Sequence, residues 1–66
     1  MSPEKMVMMA NQIAGFFNSQ PGDSAERIAE HLRDYWEPRM RAQLLQYIQA
    51  GGDDLNPSVK EAARRL

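Results

Sequence analysis

The sequence predicts an all-α fold, a small compact bundle of three to four short helices, and three observations carry that prediction. Apolar residues recur at spacings of three and four along most of the chain. Pro3, Pro38 and Pro57 each stand where the first residue of a helix belongs, a position at which the missing N–H costs nothing and the fixed φ suits the helix. No stretch alternates apolar and polar residues with the period of two that a strand needs.

The first helix is expected over about residues 2–19. Ser2 serves as its N-cap, and Met6, Met9, Ala10, Ile13, Phe16 and Phe17 form its apolar face. Gln20-Pro21-Gly22-Asp23 ends it, because proline and glycine both break the pattern. Asp23 followed by Glu26 reads as a capping box that opens a second helix over about 24–36. Its apolar residues Ala25, Ile28, Ala29, Leu32, Tyr35 and Trp36 occupy about 120° of the helical wheel. On the polar face, Glu30 with Arg33 and Arg33 with Glu37 are expected to form ordinary helix pairs. Pro38 closes this helix, since the residue before a proline is pushed out of the α region, and the same proline starts the third, about 38–50. Met40, Leu44, Tyr47 and Ile48 are expected to face inward there. Ala50-Gly51-Gly52 supplies a stop. Asn56-Pro57 repeats the cap-then-proline signal for a short last helix over about 57–66, with Val59, Ala62, Ala63 and Leu66 as a narrow stripe. No repeat or linker divides the chain, so residues 1–66 read as a single helical domain.

A chain of 66 residues buries only roughly 60% of the surface its unfolded form exposes, which leaves a thin margin of stability. Cysteine is absent, so disulfides and thiolate metal sites are excluded. What remains is regular helix packing, a partner, or both. Eight basic against nine acidic side chains give no general field for a nucleic-acid backbone or an anionic membrane. With no apolar run long enough to span a bilayer and no secretory leader, a soluble, cytoplasmic protein is expected.

No residue set has the pattern of a catalytic, cofactor-binding or metal site. The single histidine, His31, is expected on the face opposite Ile28 and Leu32, beside Arg27 and Asp34, as a solvated side chain without a second ligand or a nucleophile. Gly51-Gly52 lacks the lysine and further glycines of a phosphate loop. Arg39 and Arg41 would suit a helix-turn-helix, but residues 21–37 carry five acidic and two basic side chains, against the broad basic surface that DNA demands. Protein contact is the signal left. Tyr35, Arg39, Arg41 and Met8 are the candidate partner-binding residues, Met8 because it projects away from Met9 and Ile13. Arg39 and Arg41 stand at a helix start, where the macrodipole disfavours cations, so something else is expected to hold them: the acidic second helix is one candidate and the carboxylates of a partner another. Phe16, Phe17, Leu32, Trp36, Met40 and Leu44 are the candidate core anchors, although Trp36 and Met40 also have the residue types of interface anchors.

Four stretches form a distinctive set. They are Met9-Ala10-Asn11-Gln12-Ile13-Ala14 with Phe16-Phe17, Ile28-Ala29 to His31-Leu32-Arg33, Tyr35-Trp36-Glu37-Pro38-Arg39-Met40-Arg41, and Gly51-Gly52 to Leu55 with Pro57 and Glu61-Ala62. In them, over nearly the whole chain, the sequence resembles the delta subunit of the soluble, NAD-dependent, molybdenum-containing formate dehydrogenases of bacteria. The resemblance implies a non-catalytic accessory subunit of a complex that oxidises formate to carbon dioxide and reduces NAD. It implies, on other subunits, a molybdenum bis-molybdopterin guanine dinucleotide centre and iron–sulfur clusters (alpha) and FMN with further clusters (beta and gamma). The expected partner is the catalytic alpha subunit and, through it, beta and gamma, with self-association possible for the isolated chain. The resemblance carries over no catalytic residue. A free-standing helical regulator that binds DNA or another protein is the alternative.

Overall fold

A computed structural model describes residues 1–66, in which four helices account for all regular structure: α1 Pro3–Asn18, α2 Ser24–Tyr35, α3 Pro38–Gln49 and α4 Pro57–Ala63. Three of the four starts are capped by a side chain. Ser2 Oγ accepts from the Lys5 amide at 3.2 Å, Asp23 Oδ1 from the Glu26 amide at 3.2 Å and Asn56 Oδ1 from the Ser58 amide at 3.0 Å, each relieving an orphan donor of the first turn. Glu37 precedes α3 without such a bond, so Pro38 alone sets that start.

The capping box at α2 forms only by half. Asp23 caps as expected, but the Glu26 carboxylate turns away to Arg33 and Arg65. The stop after α3 uses both glycines: the Gly51 amide donates to Ile48 O and the Gly52 amide to Tyr47 O, the paired bonds of a Schellman ending. Gly52 has φ of 64° and is buried, so this turn favours glycine for its conformation, and a Cβ there, 3.0 Å from Lys60 Cε, would also push the lysine side chain aside. The last helix is shorter than expected. After Ala63 the amides of Arg64, Arg65 and Leu66 each reach back three residues, a tightened final turn rather than continued α-helix.

The core joins Met6, Ala10 and Ala14 of α1, Ile28, Ala29, Leu32 and Trp36 of α2, Leu44 of α3, and Leu55, Val59 and Ala62 around α4. Ala10, Ala14, Ala29 and Ala62 are at most 1% exposed. Side chains this small let α1, α2 and α4 pack closely against one another, with α3 leaning on α4. The radius of gyration, 10.6 Å, is close to the roughly 10.8 Å of a well-packed chain of this length. The short α4 is therefore central to the bundle. Two asparagines of α1 hold the segment that leads into it. Asn11 Nδ2 donates to Asp54 O at 2.8 Å while its Oδ1 accepts from the Asn56 amide at 2.9 Å, and Asn18 Nδ2 donates to Ser58 Oγ at 3.1 Å. Asp54 itself has φ of 67°, so Asn11 clasps the one non-glycine residue in the left-handed region.

Of the expected core anchors, Leu32, Trp36 and Leu44 are buried, and Phe17 and Met40 are half-buried at the core's edge. Phe16 is a correction: it is 59% exposed. The inward row of α1 runs through Met6, Ala10 and Ala14, and a residue two beyond Ala14 points roughly 160° away from it.

Candidate docking surface

Phe16 is exposed because of this register, and it does not stand alone. Its ring meets Phe17 edge-on with centroids 5.1 Å apart; Phe17 approaches His31 at 6.1 Å; His31 lies 4.8 Å from Tyr35. Four rings thus run as a continuous strip from the C-terminal end of α1 to the C-terminal end of α2. Tyr35, the last residue of α2, is 75% exposed. His31 is half-buried in this strip, contrary to the expectation of a residue on the opposite face. Standing three positions after Ile28, it is only about 60° from it on the wheel, enough for the ring to reach Phe17.

The strip has relief. A cleft of about 470 Å³ is lined by Phe17, Arg27, Glu30, His31, Asp34 and Tyr35. A second, of about 290 Å³, is lined by Gln12, Ile13, Phe16, Phe17 and His31. Phe17 and His31 are common to both, so the two hollows adjoin. Met8 is 53% exposed and lies on the same i, i+4 row of α1 as Gln12 and Phe16, which extends apolar surface toward the N-terminal half of the helix.

The two arginines of α3 separate. Arg39 is exposed and its side chain makes no hydrogen bond or ion pair within the chain. Arg41 is turned into the chain: its Nη1 donates to Leu32 O at 3.3 Å, to Arg33 O at 3.4 Å and to Trp36 O. These are the carbonyls left without amide partners, or sharing one, where α2 ends, and a guanidinium there completes the helix and matches the negative end of its macrodipole. Arg41 is thus a correction to the partner-binding set. Of the two candidates, the second helix is what holds it, through the backbone carbonyls at its end. Tyr35, Arg39 and Met8 remain free on the surface.

Charge pairing on α2 also departs from expectation. Arg33 pairs with Glu26 at 3.7 Å and donates to Arg65 O, not to Glu30 or Glu37. Arg65 gathers Asp23 at 2.8 Å, Glu26 at 3.3 Å and Glu61 at 3.7 Å, tying the final turn to the start of α2. The Arg65 guanidinium, with the Glu26 amide, holds the Asp23 carboxyl below its ordinary range, and the same pairing raises Arg65. Glu30 and Asp34 belong to none of these pairs and face the larger cleft.

Chemically the surface offers stacking, apolar burial and two carboxylates. No three histidine, cysteine or acidic groups stand together as metal ligands, and no helix is long and apolar enough to cross a membrane. A family model described as "NADH-dependant formate dehydrogenase delta subunit FdsD" matches residues 5–63. No curated protein matches the chain.

Proposed function

The chain belongs to the delta-subunit family of NADH-dependent formate dehydrogenases, and from that premise we propose that it is a non-catalytic accessory subunit that docks on the catalytic alpha subunit and supports its assembly and cofactor loading. The observation that carries this reading is the exposed strip Phe16–Phe17–His31–Tyr35 on an otherwise well-packed bundle. Aromatic side chains bury large areas at little entropic cost, and interfaces concentrate them. The molybdenum centre, the iron–sulfur clusters and FMN belong, in this reading, to the other subunits. Iron–sulfur clusters are ordinarily held by cysteine thiolates, and this chain has no cysteine. The complex is cytoplasmic.

Arg39 and Arg41, which favoured a DNA-binding regulator, no longer act as a pair, because the guanidinium of Arg41 is engaged at the end of α2. The test is to express the complex with and without this chain. Omission lowers the yield of molybdenum-loaded enzyme and its formate-dependent NAD reduction, and the purified mature complex retains the chain in fixed stoichiometry. Normal molybdenum content and activity without it would refute the role. Loss of the chain from mature enzyme, with loading still dependent on it, would make it a transient assembly factor.

A further inference from the structure

The proposed docking role leaves open what the partner presents, and the double cleft restricts that chemistry. Glu30 and Asp34 lie one turn apart on α2 and both line the larger hollow, yet the ion pairs of the chain use only Asp23, Glu26 and Glu61 with Arg33 and Arg65. Arg27 also lines this hollow, but its guanidinium donates to Gln20 Oε1 at 3.3 Å, lies close to Gly22 and forms no ion pair with either carboxylate, while Arg33 is engaged with Glu26 and Arg65 O. Two carboxylates are therefore without an ion-pair partner beside three rings, Phe17, His31 and Tyr35, and outnumber the one arginine of the lining. Next to them the smaller hollow is walled by Ile13, Phe16 and Phe17, with Gln12 and His31, and no acidic, lysine or arginine side chain lines it.

We propose, on the basis of the docking reading above, that this surface receives a partner segment that presents an arginine beside an apolar side chain. The apolar group fills the hollow between Ile13 and Phe16. The guanidinium enters the adjoining hollow, stacks on Tyr35 and pairs with Glu30 and Asp34. Arginine fits better than lysine because its planar group stacks on a ring while its fork of donors reaches carboxylates, and an ammonium does only the second. Phe17 and His31, shared by both hollows, fix the two prongs as neighbours on the partner.

The experiment uses the co-expressed complex with Tyr35→p-benzoylphenylalanine as a photo-cross-linker and identifies the captured peptide by mass spectrometry. The expected capture is a formate dehydrogenase subunit peptide with arginine adjacent to an apolar residue. A peptide without a basic residue, or a second copy of this chain, overturns the proposal. In parallel, Glu30→Lys with Asp34→Lys should reduce retention of the chain in the complex about tenfold or more. Glu4→Lys with Asp53→Lys, the same change of charge on other parts of the surface, should leave retention unchanged. Helical circular dichroism on each variant checks that the fold persists. Equal loss in both double variants would mean that overall charge alone matters, and wild-type retention of the Glu30/Asp34 variant would remove the arginine site. Failure of the wild-type chain to be retained at all would instead strike the docking role itself, so the two failures are distinguishable.

Discussion

Replacing Arg41 with alanine should destabilise the isolated chain, whereas replacing Arg39 two positions earlier should not. The Arg41 Nη1 atom carries two hydrogens and faces three carbonyls, those of Leu32, Arg33 and Trp36, so it forms at most two full hydrogen bonds and shares between acceptors. A hydrogen bond to a charged group contributes roughly 1.5–3 kcal/mol net, and a cation at a partly buried helix C-terminus up to about 2 kcal/mol. The carbonyls sit at a half-buried helix end where water replaces part of the loss, so about 2 kcal/mol is expected for Arg41→Ala. For a chain of this length that corresponds to a fall of about 15 °C in Tm. It is also a large share of the roughly 3–10 kcal/mol that 66 residues ordinarily provide.

Thermal and urea unfolding followed by circular dichroism and by the emission of Trp36, which is 6% exposed in the fold, measures the difference. Arg39→Ala should stay within about 0.5 kcal/mol of the parent, as surface substitutions do. Arg41→Lys should recover only part of the loss, since an ammonium on a flexible stem lacks the planar fork. Equal stability of the Arg41→Ala chain and the parent, or equal losses for Arg39→Ala and Arg41→Ala, would refute the assignment of Arg41 to the end of α2.

Asn11→Ala removes both the donor to Asp54 O and the acceptor for the Asn56 amide, and should cost about 1–3 kcal/mol, with faster amide hydrogen exchange in residues 53–59 than in α2; uniform protection across both segments would show that Asn11 does not hold the loop. Acid should weaken the tie between the final turn and α2. Because Arg65 depresses the Asp23 carboxyl in the folded state, its contribution is complete above the ordinary carboxylate value of about 3.9 and is lost as pH falls through the lowered one. Asp23→Asn should therefore flatten the dependence of Tm on pH below about 4 relative to the parent, and an unchanged slope would rule out this pair as its source.

The helices and their starts were legible because they depend on neighbours in sequence. Ser2-Pro3 and Asn56-Pro57 carry both the cap and the first helical residue within two positions, and Gly51-Gly52 carries the left-handed turn that ends α3. Leu32, Trp36 and Leu44 could be placed inside from their stripes. The docking surface was only partly legible. The helical spacing makes Tyr35 and Met8 candidate contact residues, and both are exposed, but the same spacing puts Phe16 in the core and His31 on the opposite face, and the structure has neither. The six apolar residues of α1 span about 120° of the wheel with Phe16 at one edge, and the packing centre falls toward the other edge, beside which Ala14 lies. The small residues Ala10 and Ala14 mark it, since helices approach most closely along a row of alanines, and that signal was available but outweighed by the size of Phe16.

The sequence by itself determined the all-α class, the four helices with their caps and stops, the absence of thiolate chemistry and, through its motifs, the formate dehydrogenase delta-subunit family. Those properties reside in backbone preferences and residue identities within a few positions of one another. Only the tertiary structure decided that Arg41 closes α2 while Arg39 stays free, that α4 is clasped by Asn11 and Asn18, and that Phe16, Phe17, His31 and Tyr35 form one surface. Each of these depends on the angle at which one helix meets another, and a rotation of a helix by a single residue, about 100°, would exchange which side chains meet and which face water.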